Sequence, residues 1–288
     1  MRQGQGSKTA DASAAARAAA TYEEPCVLKD PFAATLTSPG WRMLLKSPPL
    51  RAAARWLYDR LLPGAMGTVL VRARAAEEQL ERSGAGQYVL LGAGLDSFGL
   101  RRPELAGRLV VYELDHPASQ EVKRDRLRRA GVELPPHVRL VPIDFERDDL
   151  ESALSAAGYQ RERPALFAWL GVSYYLTLPA NERLWRDVAR VAAPGSELVF
   201  DYFEAEAFRP DGRYRSARRY LQFAARRGEP ILTGLDPETL AERLAASGFR
   251  LEEDLSPEDQ VRRFMQGTGR RPCEFIHIAR ASTPRRNG

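Results

Sequence analysis

Five short apolar runs, separated by helical patterns, constrain this chain more than any other feature of it. They are Gln87-Tyr88-Val89-Leu90-Leu91, Leu109-Val110-Val111-Tyr112-Glu113-Leu114, Val138-Arg139-Leu140-Val141-Pro142-Ile143, Ala165-Leu166-Phe167-Ala168-Trp169-Leu170 and Glu197-Leu198-Val199-Phe200. Runs of this length, apolar on both alternating faces, read as strands covered on both sides. Helical periodicity lies between them at 118–129, 149–157 and 179–192, the last stopping at Pro194-Gly195. Strands alternating with helices predict an α/β fold, a doubly wound and mostly parallel sheet with right-handed crossovers. After Asp201 comes a helical stretch, and then a helix opened by Asp236-Pro237-Glu238-Thr239 and closed by Ser247-Gly248. Two further strands at 249–253 and 274–279 bring the sheet to seven, the last a candidate for antiparallel pairing.

Residues 1–82 read differently, as a leader and helical cap preceding a sheet domain at 83–288. The Ala-rich start, Met1 to Ala20, weakly imitates a transit peptide but lacks the apolar block of a secretory signal. It reads as a frayed leader running into a helix. Asp30-Pro31-Phe32 marks a helix start, with Asp as N-cap and Pro at the first helical position. Pro48-Pro49 breaks the helix that holds Trp41, Leu44 and Leu45. A longer helix from about 66 to 82 closes at Ser83-Gly84. Within the sheet domain, about 204–235 reads as a helical insert.

Composition removes several function classes. The 288 residues carry 43 Lys+Arg against 38 Asp+Glu, but this +5 excess is interleaved with acids and never with aromatics in a nucleic-acid-binding pattern. No run of roughly 18 apolar residues predicts a membrane span. Two cysteines, Cys26 and Cys273, and three histidines disfavour a disulfide framework, a four-thiolate zinc site or a His-rich metal centre. The expectation is a cytoplasmic protein with no metal.

In an open α/β sheet, ligands bind beyond the carboxyl ends of the strands, so the residues after each run are the informative ones. The first run leads into Gly92-Ala93-Gly94-Leu95-Asp96-Ser97, whose glycines let backbone approach a ligand closely. Ser97 stands where a dinucleotide fingerprint needs glycine, which argues against NAD or FAD. Gly171-Val172-Ser173-Tyr174-Tyr175 likewise lacks the second glycine of a hydrolase elbow. Asp115 follows the second run, roughly 20 residues past Gly94, where a carboxylate can accept both hydroxyl hydrogens of a ribose. It could equally cap the helix that Pro117 opens. Glu113 falls on a strand face instead of the tip. Asp144-Phe145 follows the third run, an acid and an aromatic suited to adenine, or an acid starting a helix.

Leu91-Gly92-Ala93-Gly94-Leu95-Asp96-Ser97, Tyr112-Glu113-Leu114-Asp115-His116-Pro117 and Val141-Pro142-Ile143-Asp144-Phe145, taken in order, resemble the leucine carboxyl methyltransferase family. The similarity is closer to its bacterial branch of S-adenosylmethionine-dependent O-methyltransferases, of the polyketide-biosynthesis type. It covers roughly 9–281 and includes Thr9-Ala10, Ala15-Ala16-Arg17-Ala18 and Asp30-Pro31-Phe32-Ala33. The resemblance implies a Rossmann-like methyltransferase sheet, S-adenosyl-L-methionine as cofactor and a small-molecule acceptor. It implies Gly92, Ala93 and Gly94 at the methionine moiety, Asp115 at the ribose, and Asp144 and Phe145 at the adenine. An arginine ahead of the first strand binds the cofactor's carboxylate in this family. Arg72 is the choice here, with Arg74 the alternative and a solvated helix arginine the structural reading.

One departure stands out. Relatives often carry an acid-glycine pair after the fourth strand, and this chain has Leu170-Gly171. A carboxylate near the cofactor's amino group or the substrate is missing, which leaves the acceptor open. A carboxylate acceptor needs no general base, whereas a phenol or alcohol does; His116, Asp96, Asp201 and Tyr174 lie at plausible strand ends, and none is assigned. Tyr174 and Tyr175 could shape the acceptor pocket or serve packing. Arg209, Arg213 and Arg215 of the insert could attract an acidic acceptor or be solvated surface. A catalytically silent relative that binds cofactor or a partner is the other reading of the lost acid.

Overall fold

The structure, a computed structural model, describes residues 8–285; the first part of the expected leader and the end of the basic tail lie outside the described residues. Five helices open it: α1 (Lys8–Ala20), α2 (Ala33–Leu36), α3 (Pro39–Lys46), α4 (Pro48–Leu61) and α5 (Ala65–Ser83). Pro48 begins α4 directly after α3 ends, so the proline pair separates two helices as its missing N–H and fixed φ require. Gly84, at φ 62°, ends α5 in the left-handed conformation. The helix that the expected leader runs into is already formed at Lys8, with Ala14, Ala15, Ala16, Arg17, Ala18 and Ala20 buried.

Seven strands follow: β1 (Gln87–Leu91), β2 (Val110–Asp115), β3 (Val138–Pro142), β4 (Leu166–Trp169), β5 (Glu197–Phe203), β6 (Arg250–Leu255) and β7 (Ile276–Ser282). Their order in the sheet is β3-β2-β1-β4-β5-β7-β6. All neighbours are parallel except β7, which runs antiparallel to both β5 and β6. The strand order reverses between β1 and β4, and a crevice forms at such a switch.

Helices cover both faces: α6 (Phe98–Arg101), α7 (Pro117–Arg129), α8 (Leu150–Ala156), α9 (Leu178–Val191), α10 (Ala217–Arg226), α11 (Pro237–Ala246) and α12 (Pro257–Phe264). Alternation along β1 divides the core. Val89 and Leu91 join Leu154, Trp185, Val188 and Leu244 on one face. Tyr88 and Leu90 join Leu70, Val71 and Phe98 on the other. Each such side chain, fully buried, contributes about 1.5–3 kcal/mol, which is why β1 is apolar at every position that meets a helix. Gln87 is the exception, and its amide donates to the carbonyls of Gln160 and Arg163.

Three elements differ from the sequence expectation. α2 begins at Ala33 with Phe32 as its N-cap, not at Pro31 after Asp30, because the Asp30 carboxylate, which accepts the Ala33 N–H, is also drawn into a buried pair with Arg17. β5 continues to Phe203 because β7 pairs with it as far as Phe203↔Ile276, which places Asp201 inside the strand. α12 has no counterpart among the expected helices. Its start is a capping box, the Ser256 hydroxyl and the Asp259 carboxylate each bonding the other residue's backbone N–H.

Candidate functional site

A cavity of about 580 Å³ lies beyond the ends of β1, β2, β3 and β4, within the size range of ligand pockets. Arg72, Gly92, Ala93, Gly94, Asp115, Asp144, Phe145 and Leu170 all line it. Arg74 does not. It is about a third exposed and, among the described residues, pairs with Glu78 at 3.9 Å, so the solvated-helix reading describes Arg74 and not Arg72.

The loop after β1 folds back on β2, with Gly92 and Ala93 N–H both donating to the Leu114 carbonyl at 2.9 Å. Gly92 has φ 74°, and a Cβ there would lie 2.8 Å from Val172 Cγ2, so conformation and space both exclude a side chain. Asp115 Oδ2 accepts the Gly94 N–H at 2.5 Å and Oδ1 accepts the His116 N–H at 2.7 Å. The helix-cap reading of Asp115 fails, because His116 is the N-cap of α7 and takes the Ala118 N–H on Nδ1. Glu113 is structural, buried in an ion pair with Lys123.

Asp144 shapes a tight turn beyond β3. Its carboxylate accepts the Glu146 N–H at 3.1 Å, and its own N–H donates to Asp148 at 2.8 Å. The acid that caps α8 is Asp149, so Asp144 is free of helix capping and remains on the cavity wall beside Phe145.

At the end of β4, Leu170 presents an apolar wall where an acid was anticipated by the resemblance. Behind it Arg72 Nη1 bonds Asp201 Oδ2 and the Tyr174 hydroxyl, both at 3.1 Å. Burial would lower the Arg72 pKa, but Asp201 and Tyr174 outweigh it and keep the guanidinium charged. Burial pushes the Tyr174 phenol well above its ordinary range, even beside Arg72, and Asp201 is fully buried. Two of the four strand-end candidates for a base are therefore removed from that role, and a third, His116, is occupied as a cap.

The roof was not legible as such in the sequence. α1 supplies Thr9, Ala10, Ser13 and Arg17, and the segment after α10 supplies Gly228, Glu229, Pro230 and Leu232. The Thr9 hydroxyl donates to the Glu229 carboxylate, joining the two. Burial pushes the neighbouring Tyr175 phenol up to about 12, although a Thr9 contact opposes the shift. Arg17 fastens α1 to the site. It bonds Asp30 at 2.8 Å and the Leu95 carbonyl at 2.6 Å, and Asp30 accepts from the Ser97 hydroxyl at 2.5 Å. Arg17 and Asp30 lie in segments that carry the family resemblance, but nothing in the sequence pairs them across the glycine loop. Arg209 and Arg213 bond Glu206 and Glu204 instead of the cavity, and Arg215 is exposed, which settles them as surface.

Among the described residues, no cluster of three His, Cys, Asp or Glu side chains is placed to hold a metal ion, and no helix is long and apolar enough to cross a membrane.

A family model described as leucine carboxyl methyltransferase matches residues 10–189. "Putative S-adenosyl-L-methionine-dependent methyltransferase YktD" of Bacillus subtilis (strain 168) is 37% identical over 195 residues, 67% of this chain and 64% of that protein. That match therefore spans just under two thirds of the relative's length. A protein of Mycolicibacterium paratuberculosis, also named "Putative S-adenosyl-L-methionine-dependent methyltransferase", is 34% identical over 273 residues, 88% of this chain and 82% of its own. Among solved structures, a DUF574 family protein from Streptomyces avermitilis superposes with a TM-score of 0.59 at 17% identity, over 82% of this chain and 91% of that one. A structure described as a putative methyltransferase from Thermobifida fusca YX gives 0.59 at 15% identity, over 93% and 94%. At these identities the likeness is one of fold.

Proposed function

The chain belongs to the leucine carboxyl methyltransferase family, and from that premise we propose that it is an S-adenosylmethionine-dependent methyltransferase acting on an oxygen of a small molecule. The observation that carries the reading is convergence: a glycine loop, two strand-end acids and the buried Arg72, all on a single cavity. The chemistry of the lining fits the cofactor. Asp96, Asp115, Asp144, Glu146 and Glu229 outnumber Arg17, Arg72 and Arg147 there, an acidic field suited to a sulfonium. Gly92, at φ 74° and packed against Val172, keeps the loop in the tight turn that brings backbone to the cavity wall.

In this reading Gly92, Ala93 and Gly94 face the methionine moiety, Asp115 takes the ribose hydroxyls, Asp144 and Phe145 hold the adenine, and Arg72 meets the carboxylate. Leu170 closes the wall between cofactor and acceptor. When bound, S-adenosylmethionine supplies an electrophilic methyl group, so neither a metal nor a nucleophilic side chain is required of the protein. What the chain contributes is orientation and exclusion of water beneath α1. Thr9, Tyr175, Leu176, Glu229 and Leu232 form the acceptor side. A hydroxyl acceptor passes its proton to Glu229, and a carboxylate acceptor needs no such step. The family resemblance favours a secondary metabolite such as a polyketide. Residues 1–82 serve as leader and cap over a catalytic unit at 83–288, and the cytoplasm is the proposed compartment.

Titration calorimetry with S-adenosylhomocysteine, followed by methyl-transfer assays over matched hydroxyl and carboxyl acceptors, tests the reading. Micromolar binding with turnover is expected. Absence of binding overturns it, and binding without turnover on any acceptor favours a silent, cofactor-binding relative.

A further inference from the structure

We infer that Asp201, from inside β5, is the positioning residue that sets Arg72 for the amino-acid end of the cofactor, at a site where Leu170 supplies no carboxylate. The inference rests on the reading above in which Arg72 meets the cofactor's carboxylate.

Asp201 ties three elements together. Oδ2 takes Arg72 of α5 at 3.1 Å, Oδ1 takes the Gly171 N–H after β4 at 2.6 Å, and its backbone carbonyl takes the Ser173 hydroxyl at 2.5 Å. Its own backbone is fixed by pairing with Ile278 of β7, and the side chain is fully buried. Asp201 is also the one acid in ion-pair contact with Arg72 among the described residues. A buried guanidinium without that partner would be strongly disfavoured.

The geometry of Arg72 shows which part of it is spent. Every hydrogen bond it makes among the described residues runs through Nη1, to Asp201 and Tyr174. Nε and Nη2 make none, and the side chain lines the cavity. The guanidinium lies flat on Gly171, where an added Cβ would stand 2.5 Å from both Nη1 and Nη2. One edge is thus pinned by Asp201 and one face by the Gly171 backbone. The remaining donors have the fork geometry that recognises a carboxylate.

The test compares wild type with Asp201→Asn in calorimetric titrations of S-adenosylhomocysteine and of 5′-methylthioadenosine, which keeps the adenosine and thioether but lacks the amino-acid group. The variant is expected to lose about tenfold or more in affinity for S-adenosylhomocysteine and to stay within about twofold for methylthioadenosine, the scale of one charge-assisted bond. Equal losses for both ligands would mean a merely structural role and overturn the inference, as would no loss for either. Should Asp201→Asn fail to fold around a stranded cation, Arg72→Met/Asp201→Asn is compared with Arg72→Met alone. Identical affinities support the inference, and a further loss confined to S-adenosylhomocysteine overturns it. A wild-type protein that binds neither ligand overturns the functional reading itself, and the inference falls with it.

Discussion

The Gly94 N–H points at Asp115 Oδ2 across 2.5 Å, so the glycine loop after β1 and the acid that ends β2 are one structural unit. The bond holds a carboxylate at the cavity edge with its second oxygen on the adjacent His116 N–H. The carboxylate still lines the cavity, where the proposed function sets the ribose.

Asp115→Ala is therefore expected to weaken S-adenosylhomocysteine binding by about 10- to 100-fold, the worth of one or two hydrogen bonds to a charged group. Titration calorimetry reads this directly. An unchanged Kd would remove Asp115 from the ribose.

Gly171→Ala should cost both stability and cofactor affinity. Gly171 has φ 75°, and its added Cβ would collide with the Arg72 guanidinium. Gly107→Ala is the control, since φ there is 89° and nothing lies within 4 Å. Both variants are expected to lose about 1–3 kcal/mol in urea melts from backbone strain. Only Gly171→Ala should also weaken S-adenosylhomocysteine binding, and equal binding by the two would separate Gly171 from Arg72.

The Arg17–Asp30 pair under α1 predicts a pH dependence. Burial alone would raise the Asp30 carboxyl, but Arg17, Arg101 and the Ser97 hydroxyl outweigh it and hold the carboxyl below its ordinary 3.8. A carboxyl lowered by folding stabilises the native state above its unfolded pKa and loses that contribution as pH falls through the folded value. Asp30→Asn should cost about 3 kcal/mol at pH 7, the scale for breaking a buried pair. The gap between wild type and variant should narrow below about pH 4 in urea midpoints, since the unfolded carboxyl titrates there. A gap constant from pH 7 to 3 would contradict the pairing.

Glu229→Gln separates the two acceptor chemistries. With a hydroxyl acceptor, removing the proton acceptor should lower kcat by about 100-fold. With a carboxylate acceptor it should leave kcat unchanged, and S-adenosylhomocysteine binding should be retained in both cases. Initial rates of S-adenosylhomocysteine release on the two acceptor types decide it, and equal rates for wild type and variant on a hydroxyl acceptor would take Glu229 out of proton transfer.

Much of the site was written locally. The apolar run 87–91 is β1 to the residue, because a strand covered on both faces leaves no position for a polar break except Gln87. The loop glycines and strand-end acids follow directly from where such strands stop. The misreadings have equally physical causes. α1 is built on alanines, which bury by close approach and give almost no hydrophobic contrast between faces, so the sequence did not show where its helix begins or that it is packed. Asp201 looked like a strand end because the charged residue ends the apolar run, whereas pairing with β7 carries the strand on to Phe203. α12 was announced by Ser256 and Asp259, but its charged sequence offered no apolar stripe to draw notice.

The sequence by itself determined the alternating architecture, the glycine loop and the order of acids after successive strands, since each is a property of neighbouring residues. The choice between Arg72 and Arg74 belonged to the tertiary structure. Two positions apart on a helix, they point to nearly opposite sides, and only the docking of α5 on the sheet decides which one enters the cavity. Asp201 is 129 residues from its partner Arg72, and Glu229 is 220 residues from Thr9. No local pattern encodes such a meeting, because a buried charge selects its partner by where the sheet and helices bring it and not by its place along the chain.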